Sequence, residues 1–366
     1  MERWSEIVLI SGSSSFEAAC QIADFSEKHR ARRLHGHSYR VNARARFSSD
    51  GGTLLSSLDR LQKRIDGVAE SLDYSFLNDR IEIPTDENVA RYIWDRLSSD
   101  SIYSVGLRSQ ENEGIDLDAS GDAHVWRKFR FEAAHRLPNV PEGHKCGRMH
   151  GHGFEVIIHA RSSVESANFG VEYERLERSW QLLHGRLHHQ CLNEINGLEN
   201  PTSELISRWI WNHLKEYLPE LSWVTVYETA TSGAHYDGFL FKIWKDFSID
   251  SAVKVRNASV SDTRRNIHGH TFLCRLHLSA DLDEILGWTV DYGDVKEKFK
   301  PVFDALDHRP LYEVKNLDDN DPLSIARWIR AEAALDLPQL ERIDLFETRG
   351  SGVILDWGNS VPALPI

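Results

Sequence analysis

The tripeptide His-Gly-His occurs at His35, His150 and His268, intervals of 115 and 118 residues. No other feature constrains the fold as strongly, because further landmarks keep the same step. Leu72-Asp73, Leu187-His188 and Leu306-Asp307 lie 115 and 119 apart, and Tyr92, Trp209 and Trp328 lie 117 and 119 apart. Pro84, Pro201 and Pro322, each set before those aromatics, lie 117 and 121 apart. A repeat of that length is too long for a solenoid and suits a whole small domain, so the chain reads as three tandem copies of one unit.

Each copy carries the same order of signals. A strand, clearest over 129–137, leads through a polar loop to HGH, which opens a second strand. There Tyr39, Val41, Ala43, Ala45 and Phe47 alternate with Arg40, Asn42, Arg44 and Arg46, the period of a half-buried strand. Amphipathic helices follow over 173–187 and 292–306. A second helix begins after Pro201, with Thr202 as N-cap and Pro219 as its stop. Two closing strands, 223–230 and 235–244, are expected to join across Ser232-Gly233. The order ββααββ defines an α+β class, with two helices on one face of a four-stranded antiparallel sheet. The expected units are 1–110, 123–245 and 252–360. The acidic stretch 110–122 reads as a linker, 245–252 as a shorter joint, and VPALPI (361–366) as a surface strap.

Composition narrows the function. A formal net charge of −13 argues against a nucleic-acid partner bound by phosphate neutralisation. No apolar run approaches the roughly 18–20 residues of a membrane-spanning helix, so no membrane association is expected. The cysteines, Cys20, Cys146, Cys191 and Cys274, lack framework spacing, which suits a reducing cytoplasm.

The middle copy holds the densest chemistry, in FEAAHRLPNVPEGHKCGRMHGHGFEV (131–156). His150 and His152, two apart on a strand, project from one face, and His135 on the neighbouring strand adds a third imidazole. Three imidazoles with a free fourth position suit a catalytic zinc. Cys146, in the preceding loop, is expected to have a lowered thiol pKa and to act as a base, with fourth ligand as its competing role. Lys145 and Arg148 are the cations beside it.

These residues, with LNEINGLENPTSE and VTVYET, closely resemble the bacterial 6-carboxy-5,6,7,8-tetrahydropterin synthases of queuosine biosynthesis, within the 6-pyruvoyl-tetrahydropterin synthase family. The resemblance is strong over 123–245, good in the third copy and only in outline in the first. It implies a T-fold (tunnelling fold), here one pseudo-trimeric twelve-stranded antiparallel barrel with helices outside, and two such barrels stacked as a homodimer. It also implies Zn2+ on His135, His150 and His152, a proton-abstracting Cys146, a pterin-anchoring Glu228, and 7,8-dihydroneopterin triphosphate as substrate. The nearest alternative product is the pyruvoyl-tetrahydropterin; a non-catalytic pterin-binding or scaffold protein is the alternative from another class.

The copies depart from the family pattern in complementary ways. The Asp-His pair that supports the cysteine falls on His188-His189 in copy two but is kept as Asp307-His308 in copy three, which also keeps the anchor as Glu347. Copy three's first ligand position is expected near Ser259 and its cysteine position at Arg264. Copy one has Cys20 at the first ligand position, Ala31 for the cysteine, Asp73-Tyr74 for the dyad and Ser109 for the anchor. A composite site is expected, joining Cys146 and its metal to Asp307-His308 from the same chain or from the facing barrel of a partner. Cys20, His35 and His37 could hold a second metal as a set of one thiolate and two imidazoles; the plainer reading is a decayed site kept for its sheet.

Overall fold

The structure is a computed structural model, and it describes residues 6–25, 27–97, 101–162, 171–348 and 350–358. The three copies build one closed barrel. Unit one supplies β1 (Ile7–Cys20), β2 (His35–Arg46), β3 (Ile102–Gln110) and β4 (Glu113–Leu117). Unit two supplies β5 (Ala123–His135), β6 (His150–Ser162), β7 (Leu221–Thr229) and β8 (Ser232–Tyr236). Unit three supplies β9 (Phe241–Val253), β10 (His268–Ser279), β11 (Leu340–Thr348) and β12 (Ser351–Asp356). Adjacent strands pair antiparallel all the way round, and the seams between units are β4–β5, β8–β9 and β12–β1. Closure leaves no barrel strand with a free edge.

Two helices per unit pack outside: α1 (Leu54–Leu72) and α2 (Asp86–Leu97), α3 (Tyr173–Leu187) and α4 (Ser203–Leu214), α5 (Tyr292–Leu306) and α6 (Pro322–Ala333). In α3 the residues Leu176, Trp180, Leu183 and Leu187, spaced by one helical turn, form the buried stripe. Thr202 caps α4 by accepting from Leu205 N–H at 3.2 Å, as the sequence suggests. One continuous apolar core lies between helices and sheet.

The opposite face of the sheet lines the lumen, which is polar, and this changes several boundaries. Arg44, on the polar side of the alternation, is 2 % exposed, and the charges acting on it include Asp116 of its own unit and Arg342 and Asp344 of unit three. The stretch 110–122 is no linker: its core is β4, buried at every position. Its acidity hid the strand, because Asp116 is a lumen residue and Glu113 faces Arg127 at 3.4 Å. Residues 245–252 are likewise not a joint but the middle of β9. The closing hairpin turns at Ala230-Thr231, with Ser232 and Gly233 inside β8, and 235–244 is split by the turn into β9. Residues 361–366 lie outside the described residues.

Candidate active site at the seam of units two and three

His135 ends β5 directly opposite His150, which opens β6, and His152 follows on the same face. The three rings converge, with centroids 4.5, 5.2 and 5.0 Å apart for His135–His150, His135–His152 and His150–His152. Two of the rings are aimed by backbone oxygens. His135 Nδ1 lies 3.0 Å from Pro201 O and His150 Nδ1 lies 2.8 Å from Arg148 O, contacts that leave each Nε2 facing its neighbours. The Nε2 atoms of His135 and His152 are buried without a hydrogen-bond partner. Burial holds the His135 imidazole down to about 4, so it is neutral at ordinary pH. Neutral, converging, unpartnered nitrogens are what a divalent metal requires, so the residues present fit one.

Glu228, on β7, completes this cluster: its carboxylate lies 3.5 Å from His152 Nε2, within metal-ligand spacing of all three histidines. Cys146 is not in that set, which argues against its competing role as fourth ligand. It sits instead on the wall of an adjoining pocket of about 650 Å3, with Glu228, Glu204, Lys145, Arg148, Lys245 and Lys296. The expected fall in the thiol pKa is not what the protein charges produce. Burial and the Glu228 carboxylate push the Cys146 thiol up, and only Lys145 among the nearby charges pulls it down. Burial, then Glu204 and Asp291, raise the Glu228 carboxyl to about 7.

Glu204 is the residue the sequence reading passed over. It lies in the first turn of α4 and is 1 % exposed. Its Oε1 accepts from Thr289 N–H at 2.9 Å and from the Thr289 hydroxyl at 3.2 Å. An acid directly after an N-capping Thr-Ser, in a helix whose start is buried, was the available signal.

The far wall comes from unit three. Asn139 and Asn200 donate to the carbonyls of Ile285 and Leu286 at 2.6 and 2.7 Å, Ser203 Oγ lies 2.9 Å from Tyr292 Oη, and His144 Nε2 lies 3.7 Å from Asp291. The site is therefore built across the seam. Asp307 and His308 do not line this pocket. The dyad positions lie on an exposed rim beside β1, β5 and β9. Tyr74, His189 and His308 all have positive φ (48, 58 and 55°) and all donate N–H to a strand carbonyl at 2.6 Å, from Glu17, Glu132 and Asp250 respectively. Asp73, His188 and Asp307 accept the N–H of those same strand residues at 2.8, 3.2 and 2.9 Å. His188 thus keeps the structural bond of the missing aspartate and loses only its charge. Asp307 Oδ2 lies 2.8 Å from His308 Nδ1, whereas in unit two Glu132 Oε2 is 3.4 Å from His189 Nε2.

The equivalent position in unit three carries different residues. The ligand position on β9 is Val253, opposite His268, and not Ser259. Arg264 fills the cysteine position and binds Asp262 and, from α1 of unit one, Asp59 at 2.7 Å. His270 and Glu347 remain as a 3.9 Å pair.

Three consecutive segments, 9–116, 124–238 and 242–356, match the family model described as 6-pyruvoyl tetrahydropterin synthase. The chain belongs to that family, as three fused copies forming one barrel. It is 39% identical over 119 residues to the 6-carboxy-5,6,7,8-tetrahydropterin synthase of Synechocystis, covering 31% of this chain and 91% of that protein. It is 31% identical over 94 residues to the dihydroneopterin monophosphate aldolase of Pyrococcus furiosus, covering 25% and 79%. The solved 6-pyruvoyl tetrahydropterin synthase of Caenorhabditis elegans aligns at 22% identity with a TM-score of 0.26, over 32% of this chain and 99% of that one. No helix among the described residues is long and apolar enough to cross a membrane.

Proposed function

We propose that the chain is a zinc-dependent lyase of the 6-carboxy-5,6,7,8-tetrahydropterin synthase type. It converts 7,8-dihydroneopterin triphosphate to 6-carboxy-5,6,7,8-tetrahydropterin with loss of triphosphate and acetaldehyde, in the cytoplasm, at the seam of units two and three. The observation that carries this reading is the convergence of His135, His150 and His152, the last two on the wall of a pocket that also holds Cys146, the buried Glu204 and the partly buried Glu228. Zn2+ on those imidazoles supplies Lewis acidity toward the substrate's side-chain oxygens. Glu228 and Glu204 accept the N–H groups of the amino-pyrimidine edge, a pairing that carboxylates make strongly. Lys145, Arg148, Lys245 and Lys296 meet the triphosphate, which reconciles an anionic substrate with an acidic chain. Cys146 removes the side-chain proton.

The cysteine's supporting dyad comes from the facing barrel of a second copy, in a homodimer. Three observations support that arrangement. The dyad rim is exposed, Asp307-His308 is an intact carboxylate–imidazole pair, and Leu34, Met149 and Ile267, each just before its HGH, are exposed apolar side chains repeated round the same end of the barrel. The test is product analysis by mass after incubation of the zinc-loaded chain with 7,8-dihydroneopterin triphosphate. The expected mass is that of the carboxy product, absent with Cys146→Ala; a pyruvoyl product or no turnover overturns the assignment. Asp307→Ala and His308→Ala are expected to abolish turnover. If they are silent while His189→Ala abolishes it, unit two's own Glu132–His189 pair does that work. The charge lost at His188 favours a second reading, a pterin-binding protein without turnover, which the same experiment would reveal as binding alone.

A further inference from the structure

The largest cavity among those described lies elsewhere, at the seam of units one and two. It encloses about 870 Å3 between β1, β2, the start of α2 and the start of α3. On one wall stand Cys20, His35 and His37, whose ligand atoms all lie within 4.8 Å of one another. Cys20 is 1 % exposed, and its Sγ lies 3.5 Å from His35 Nε2. His35 Nδ1 is held 2.7 Å from Arg33 O, the same backbone contact that aims His150. Behind the thiol stands Tyr39, its hydroxyl 3.8 Å from Cys20 Sγ, where units two and three have Phe154 and Phe272. A ring that merely filled space would need no hydroxyl directed at the sulfur.

The recognition end of this cavity is rearranged and not erased. In unit two the strand carries Glu228 and the helix start carries Ser203; in unit one the strand carries Ser109 and the helix start carries Asp86. Ser109 donates its hydroxyl to Asp86 Oδ2, and Tyr173 of unit two donates to the same oxygen at 2.7 Å. Tyr292 meets Ser203 in the same way at the next seam. A carboxylate has moved from strand to helix and stayed in the pocket. Among the described residues Asp86 makes no ion pair within hydrogen-bonding reach; two hydroxyls hold its carboxylate, and it acts on His37 across the cavity. The position that holds Cys146 in unit two is Ala31 here, which leaves no thiol on the loop to move a proton.

We propose that this seam is a second, non-catalytic site, in which Cys20, His35 and His37 hold a divalent metal of zinc type. The open metal position and Asp86 together take a small heterocycle with an N–H-rich, amidine-like edge and oxygen donors. A thiolate with two imidazoles is a borderline-soft set that zinc favours, and three ligands leave the fourth position to the bound molecule. The site is independent of the Cys146 site and stands whether or not that one turns over.

The experiment is metal loading of the full chain, read by elemental analysis and by cobalt substitution. About two metals per chain are expected, falling to about one in Cys20→Ala and to about one in His150→Ala. The Co2+ form should show a thiolate-to-cobalt charge-transfer band that Cys20→Ala abolishes and Cys146→Ala retains. One metal per chain that Cys20→Ala does not change, or a band that follows Cys146 instead, overturns the proposal. For the ligand, free pterin is the probe: fluorescence titration should resolve a site lost in Asp86→Asn and a separate one lost in Glu228→Gln. Circular dichroism confirms the barrel in each variant, and Cys20→Ser, which keeps the volume but binds zinc weakly, repeats the metal count. Pterin binding that Asp86→Asn leaves intact overturns the ligand half.

Discussion

Cys146 and Glu228 face the same pocket but have separable jobs under the proposed function. A thiol that moves a proton acts on the rate, and a carboxylate that pairs the ring edge acts on binding in ground and transition state alike. Cys146→Ala should therefore lower turnover by ~10²–10⁴-fold and leave pterin affinity nearly unchanged. Glu228→Gln offers a donor where an acceptor is needed and should weaken binding by about 1.5–3 kcal/mol. Steady-state kinetics with fluorescence titration separates the two; equal losses of affinity in both variants would undo the division. The sequence made the histidines and the cysteine legible because a metal fixes residue types at short spacing. It hid Glu204, because a buried carboxylate in a helix's first turn looks like any favourable N-terminal acid until burial is known.

The β4, β8 and β12 strands close the seams, and their shared constraint is a glycine. Gly114, Gly233 and Gly352 step by 119 residues each, a landmark as regular as HGH. A side chain there has no room. A Cβ on Gly114 would sit 2.6 Å from Leu107 O and 2.6 Å from the Trp126 ring; one on Gly233 would sit 2.2 Å from Val226 O and 2.4 Å from the Trp244 ring. Gly233→Ala should force strands apart at a seam and cost about 1–3 kcal/mol. Gly185→Ala, in α3 with nothing within 4 Å of the added carbon, should be neutral or stabilising by up to about 1 kcal/mol. Urea unfolding of the pair checks this, and a harmless Gly233→Ala would mean the seams are looser than drawn. Helix bounds were readable because α3 and α5 each bury one stripe. The closing strands were misread because their inward faces meet other charges in the lumen, so the period-two apolar signal vanishes in sequences such as EGIDL.

At the scale of the whole barrel, fusion has let three equivalent seams diverge. One carries the three-histidine set, one carries Cys20 with two histidines, and one is bridged by the Arg264–Asp59 ion pair, a specialisation that three identical subunits could not reach. The price is a lumen of buried polar groups drawn from all units: Arg44 with Asp116, Arg275 with Asp246, Arg342 and His277 with Asp344, and His159 and His235 about Thr225. His159 is fully buried, its Nδ1 has no partner, and burial holds it down to about 3. A depressed imidazole is neutral in the folded barrel, while the unfolded chain takes up a proton below about 6.5. The stability associated with it is therefore complete above that value and is lost as pH falls toward 3, by about 1.4 kcal/mol per pH unit. His159→Gln cannot titrate, so relative to the parent it should gain about 3 kcal/mol between pH 7.5 and pH 4.5. Groups remote from His159 titrate in both proteins and cancel in the difference, whereas His124 and His235, which feel its charge, do not. Urea unfolding of parent and variant at the two pH values measures it directly, and a difference that does not change with pH would mean that His159 is charged, or hydrated, inside the barrel.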